Sequence, residues 1–87
     1  MSQDILTALP NIGQDTARQL REVGIDSPEA LRETGAKEAW LRIYAIDPSA
    51  CYLRLMGLEG AIRGIPKGQL PQDVKDDLKV FINQAKA

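Results

Sequence analysis

Apolar positions along this chain recur at the three- and four-residue spacing of one face of a helix, and Pro and Gly cut the pattern into short units. No stretch alternates β-branched and polar residues as a strand would. The first clear unit runs from about Gln14 to Val23, with Ala17, Leu20 and Val23 on one side. Gly24 follows where a residue of positive φ closes a helix, so Ile25 is expected to fold back on Leu20. The run Asp26-Ser27-Pro28-Glu29 then restarts the chain. Ser27 can cap the new helix, Pro28 suits its first position, and Glu29 complements its positive end. This second unit ends at Gly35, where a positive φ is again expected and Leu31 should meet Ala36. A third, from about Ala36 to Ala45, places Trp40, Ile43 and Tyr44 toward a core.

The fourth unit, from about Pro48 to Ile65, has three faces when wound at 100° per residue. Cys51, Leu55, Leu58, Ile62 and Ile65 form a large apolar face. Ala50, Gly57, Gly60, Ala61 and Gly64 form a second face of small residues, and Tyr52, Met56, Glu59 and Arg63 a third, more polar one. A glycine inside a helix costs roughly 0.5 to 1 kcal/mol relative to Ala, so Gly57 and Gly60 imply that another helix approaches closely. This unit is therefore expected to be the central post. Gly64 to Gly68, with Pro66 between, breaks the chain, and Pro71 starts an amphipathic helix bearing Val74, Leu78, Phe81, Ile82 and Ala85. Asp73, Asp76 and Asp77 near its start and Lys86 near its end match the helix dipole.

These elements predict an all-α, compact single domain over residues 1–87, of about five helices around a central glycine-containing one. Its 44% hydrophobic and 26% charged residues suit a globular chain, and 87 residues are close to the lower size for a core without disulfides or metals.

Charge and chemistry narrow the function. Eleven basic and twelve acidic residues give a net charge of -1, so no global field draws the chain to phosphates or anionic lipids. The N-terminus lacks a signal-peptide pattern, and no stretch approaches the ~20 apolar residues of a membrane span. With Cys51 the one cysteine, a cytoplasmic protein that does not enter a membrane is expected. The absence of histidine removes His-based catalysis and metal binding, and Cys51, read as a core residue, builds neither a metal cluster nor a redox pair. Asp76 and Asp77 diverge by 100° on a helix and read as a solvated face; Glu59 and Arg63 read as a surface pair. No catalytic residue, metal ligand or cofactor is expected.

Leu9-Pro10-Asn11-Ile12-Gly13, followed by Thr16, Ala17 and Leu20, resembles the helix-hairpin-helix element of many DNA-binding proteins. In that element, backbone N–H groups at a helix N-terminus approach a DNA phosphate without reading sequence. Gly13 matches the second hairpin glycine of the pattern, and Asn11 stands in place of the first, where its tolerance of left-handed backbone angles suits it. Asn11, Ile12 and Gly13 are thus candidate phosphate contacts, with Arg18 and Arg21 as supporting charge. Asp15 opposes this role, and from Leu9 to Ser27 two basic residues face three acidic ones. A structural hairpin is the favoured reading and DNA contact the alternative.

A longer resemblance joins four separated motifs in order: Leu9-Pro10-Asn11-Ile12-Gly13; Leu20 to Ile25 with Ser27-Pro28-Glu29 and Leu31; Leu58-Glu59-Gly60-Ala61; and Leu70-Pro71. From about Ile5 to Leu78 the chain resembles the C-terminal domain of TfoX (Sxy) regulators. The resemblance implies a bacterial, cytoplasmic, helical domain linked to regulation of natural competence genes, with no catalytic residues to transfer. The expected function is a non-enzymatic regulatory module that binds a protein partner; weak, sequence-independent DNA binding through the hairpin is the alternative.

Overall fold

The computed structural model describes residues 5–87 and places five helices: α1 (Gln14–Glu22), α2 (Pro28–Thr34), α3 (Ala36–Ile46), α4 (Tyr52–Arg63) and α5 (Gln72–Ala85). Single 3₁₀ turns at Ile5–Ala8 and Lys67–Gln69 precede α1 and α5. No strand occurs among the described residues, so the fold is all-α. The radius of gyration, 12.1 Å, is close to the roughly 12 Å of a compact chain of this length.

Local chemistry sets the boundaries. After α1, the Gly24 N–H donates to the Arg21 carbonyl (3.1 Å) and the Ile25 N–H to the Leu20 carbonyl (2.8 Å), with Gly24 at φ +88°. That bond pair closes the helix and returns Ile25 to the core beside Leu20, both fully buried. The Ser27 hydroxyl accepts from the Ala30 N–H (3.0 Å), and Pro28 opens α2. Gly35 serves α2 and α3 together at φ +87°, ψ +154°, a region essentially reserved for glycine.

The core gathers Leu6, Leu20, Ile25, Leu31, Trp40, Ile43, Leu55, Leu58 and Leu78, all essentially without exposure. At its centre stands α4, packed against α2, α3, α5 and the second 3₁₀ turn. Three details differ from expectation. The helix starts at Tyr52 rather than Pro48, because the Asp47 carboxylate accepts from the Ser49 N–H (3.0 Å) and hydroxyl (2.6 Å) and holds residues 47–50 in a turn. Cys51 is consequently an extended N-cap residue, exposed rather than in the core. Met56, placed on the polar side of the wheel, is buried, while Ile62 and Ile65 are only half-buried. A central post is covered on nearly every side, so one apolar stripe does not describe it.

Two polar bridges connect the layers. The Gln19 amide donates to the Asp47 carboxylate (2.8 Å), and the Arg54 guanidinium donates to the Gln19 oxygen. Arg54 thereby finds its polar partner in an amide. The Tyr52 hydroxyl donates to the Lys75 carbonyl (2.9 Å), tying α4 to α5.

Candidate functional site

The hairpin before α1 is a turn in which the Ile12 N–H donates to the Leu9 carbonyl (3.4 Å). Pro10 fixes the first inner angle and Asn11 takes φ +69°, the sequence pattern of a type II turn. Asn11 is the only non-glycine residue with positive φ among the described residues. Its conformation is the one expected for a stand-in for glycine.

Its side chain does something that no glycine could. The Asn11 amide donates to the Ile65 carbonyl (3.0 Å) and, at greater length, to the Gly57 carbonyl (3.4 Å). The Asn11 side-chain oxygen accepts from the Lys67 N–H (3.0 Å). These partners are in register because Gly64 turns the end of α4 at φ +75°, with the Ile65 N–H donating to the Gly60 carbonyl (2.9 Å). Gly60 is the space into which the amide fits: a Cβ there would lie 2.5 Å from Asn11 Nδ2 and 2.7 Å from the Ile65 oxygen. At Gly57 a Cβ would meet the Asn11 Cβ at 3.4 Å. The expected close neighbour of these glycines is real, but it is a hairpin and a loop rather than another helix.

The other candidate phosphate residues separate. Ile12 is 5% exposed and belongs to the core. Gly13 is exposed, extended, and begins α1 with its carbonyl accepting from the Ala17 N–H (3.0 Å). No side chain caps α1, and Asp15 in its first turn is 87% exposed. Arg18 pairs with Glu22 (3.0 Å) and lies 3.8 Å from Asp15, so its charge is largely answered within its own helix. Arg21 is exposed and lines the same shallow surface as Asp15 and Arg18.

Beside the hairpin runs a second trough of about 230 Å³, between α1 and the first half of α4. Asn11, Ile12 and Thr16 form one wall and Leu53, Gly57 and Leu58 the other, with Arg54 and Lys67 also facing it. The sequence reading missed Lys67 and Leu53; their distance along the chain from the hairpin hides the juxtaposition. On the far side, a trough of about 410 Å³ lies between α3, α4 and α5. Its charges answer one another, Lys37 with Asp77 (2.8 Å) and Arg63 with Glu59 (2.6 Å). Among the described residues no group of three or more His, Cys, Asp or Glu is placed to hold a metal ion.

The turn at Asp47 also sets its acidity. Bonds from the Ser49 hydroxyl, the Gln19 amide and the Ser49 N–H, with the Arg54 charge adding, hold its carboxyl down at about 2, against a smaller opposing effect of desolvation.

Against known families, residues 2–82 match the model of the TfoX C-terminal domain. The chain belongs to that family. Membership makes it a regulatory-type domain of a family that is not a known enzyme family. Among solved structures, the TfoX C-terminal domain here is similar to an uncharacterized protein from Listeria monocytogenes in a triclinic crystal form. The two are 40% identical with a TM-score of 0.93, covering 94% of this chain and 93% of that one. A tetragonal form of a Listeria monocytogenes protein of unknown function is 41% identical, with a TM-score of 0.88 over 90% of this chain and 96% of that one. Comparison with curated proteins yields no match. No helix among the described residues is long and apolar enough to cross a membrane.

Proposed function

We propose that this TfoX C-terminal domain is a non-enzymatic regulatory module that works by docking a protein partner. The observation that carries the reading is the fate of the hairpin. Its polar side chain, Asn11, spends both amide protons and its oxygen inside the fold, and Arg18 is committed to Glu22. Phosphate affinity grows with the number of cations free to neutralise backbone charges, and the exposed Asp15 opposes any phosphate at the start of α1. A surface of this kind favours a partner read by shape and apolar contact.

The second reading, weak sequence-independent DNA binding, rests on the exposed Gly13 and the uncapped first turn of α1, whose amides point outward. It predicts affinity of about 10⁻⁴ M or weaker at physiological salt. The deciding experiment is capture of partners from bacterial lysate on the immobilised chain, with and without nuclease, alongside anisotropy on a labelled duplex at two salt concentrations. Nuclease-resistant capture of a protein supports docking. Sub-micromolar, steeply salt-dependent duplex binding that vanishes in Gly13→Val overturns it in favour of DNA.

A further inference from the structure

We propose that the trough between α1 and the first half of α4 docks a short acidic segment of a partner protein, anchored by one apolar side chain. The proposal rests on the protein-docking reading above and names the chemistry of the segment.

Three observations converge. The walls are apolar where they are deepest: Ile12 and Leu58 lie below the rim and Leu53 stands 57% exposed at its edge. The charge is of one sign. Arg54 and Lys67 both face the trough, no carboxylate lines it, and the Lys67 ammonium has no ion-pair partner among the described residues. Asp47, whose carboxyl feels the Arg54 charge, does not line the trough, and it is already satisfied by Ser49 and Gln19. The larger trough on the far side has its cations already paired, so complementarity to an acidic ligand belongs to the first alone of the two.

Size and chemistry select the occupant. About 230 Å³ is below the ~300 to 1,000 Å³ of sites that engulf small molecules, and suits a protruding side chain. A phosphodiester would leave the exposed Leu53 side chain uncovered, and the two cations are few for a ligand whose affinity scales with phosphates neutralised. A carboxylate-flanked leucine or phenylalanine uses both parts: the side chain packs against the exposed Leu53 and the carboxylates meet Lys67 and Arg54.

The test is a heteronuclear NMR titration of the isotope-labelled chain with a synthetic peptide in which Leu alternates with Asp and Glu. Controls carry Lys in place of the acids or Ala in place of Leu, and a short DNA duplex is titrated separately. Saturable shifts should concentrate on the amides of Thr16, Leu53, Gly57 and Lys67, and neither control peptide should reproduce them. Leu53→Ala and Lys67→Glu should each weaken binding about tenfold. Both should leave the melting temperature in place, because Leu53 is exposed and only the Lys67 backbone serves the fold. Absence of saturable shifts, shifts on another face, or equal binding of the Lys peptide would overturn the site. So would a lysate protein retained equally by both variants, which leaves the docking reading standing. Capture that disappears with nuclease, or duplex-induced shifts at these same residues, would overturn the docking reading itself.

Discussion

Two joints of the fold, one between α3 and α5 and one between α4 and the hairpin, are made of different physics. Between α3 and α5 the joint is aromatic: Trp40 stacks on Tyr44 of its own helix with ring centres 4.8 Å apart and meets Phe81 edge-on at 6.1 Å. Lys37 lies over Phe81 at 5.5 Å, Lys79 over Tyr52 at 4.9 Å and Lys86 over Tyr44 at 5.7 Å. Toward the hairpin the joint is one amide, Asn11, inserted over Gly60 among backbone groups. The first gains strength from area and degrades by degrees as area is removed. The second depends on geometry, so a single added carbon disturbs it.

The largest effect is therefore expected on the aromatic side. Trp40→Ala should cost about 3 to 5 kcal/mol in urea unfolding, through a cavity at a residue with no exposure. Trp40→Phe should cost visibly less, since a ring still meets Phe81 although the indole bond to the Cys51 carbonyl (3.2 Å) is lost. Equal losses for the two variants would break the view of this joint as area.

On the hairpin side the diagnostic is a sign. In an open helix Gly60→Ala would stabilise by roughly 0.5 to 1 kcal/mol. Here the new carbon would fall 2.7 Å from a backbone oxygen, so Gly60→Ala should destabilise by about 1 to 3 kcal/mol, and Gly60→Leu by more. Combining Gly60→Ala with Asn11→Ala should cost less than the sum of the two, because the amide being struck is gone. A stabilised Gly60→Ala protein would refute the insertion.

Asn11→Ala should cost about 1 to 3 kcal/mol, since it strands the Lys67 N–H and forces φ +69° on alanine. Asn11→Gly relieves the backbone and keeps the hydrogen-bond loss, so its shortfall measures the amide alone. If Asn11→Gly matched wild type in chemical denaturation, the joint would be steric only.

The smallest effect concerns acid. Asp47 in the folded chain titrates at about 2, below its ordinary 3.8. A depressed carboxyl contributes stability that is complete above the unfolded value and lost as pH falls toward the folded one. Urea midpoints should thus fall between about pH 4 and pH 2, and fall less in Asp47→Asn, which removes this titration. Identical acid profiles would remove Asp47 from the account.

The same contrast explains what the sequence made legible. Helix ends were readable because their causes are local: Gly24, Gly35 and the Ser27-Pro28 start act within a few residues. The left-handed backbone of Asn11 was readable for that reason too. Its side-chain partners were not, since Gly57, Ile65 and Lys67 lie 46, 54 and 56 residues away. Asparagine in a glycine position, with two glycines inside a later helix, was the available signal. Cys51 was misplaced because the helical wheel was extended through a turn that the Asp47 side chain creates. The trough was illegible because Leu53, Lys67 and Thr16 share no local pattern.

The span of 56 residues between Asn11 and Lys67 also sets an order of events during synthesis. A ribosome adding roughly 5 to 20 residues per second leaves the hairpin without its receptor for roughly 3 to 11 s after Asn11 is made. Over that interval α1 and α2, nine and seven residues long and too short to be stable alone, lack the core that gathers around α4, and the seat over Gly60 does not yet exist. Completion of the fold thus waits on the segment after α4, and a nascent chain halted before Lys67 would expose the hairpin to proteases and chaperones that the finished domain turns away.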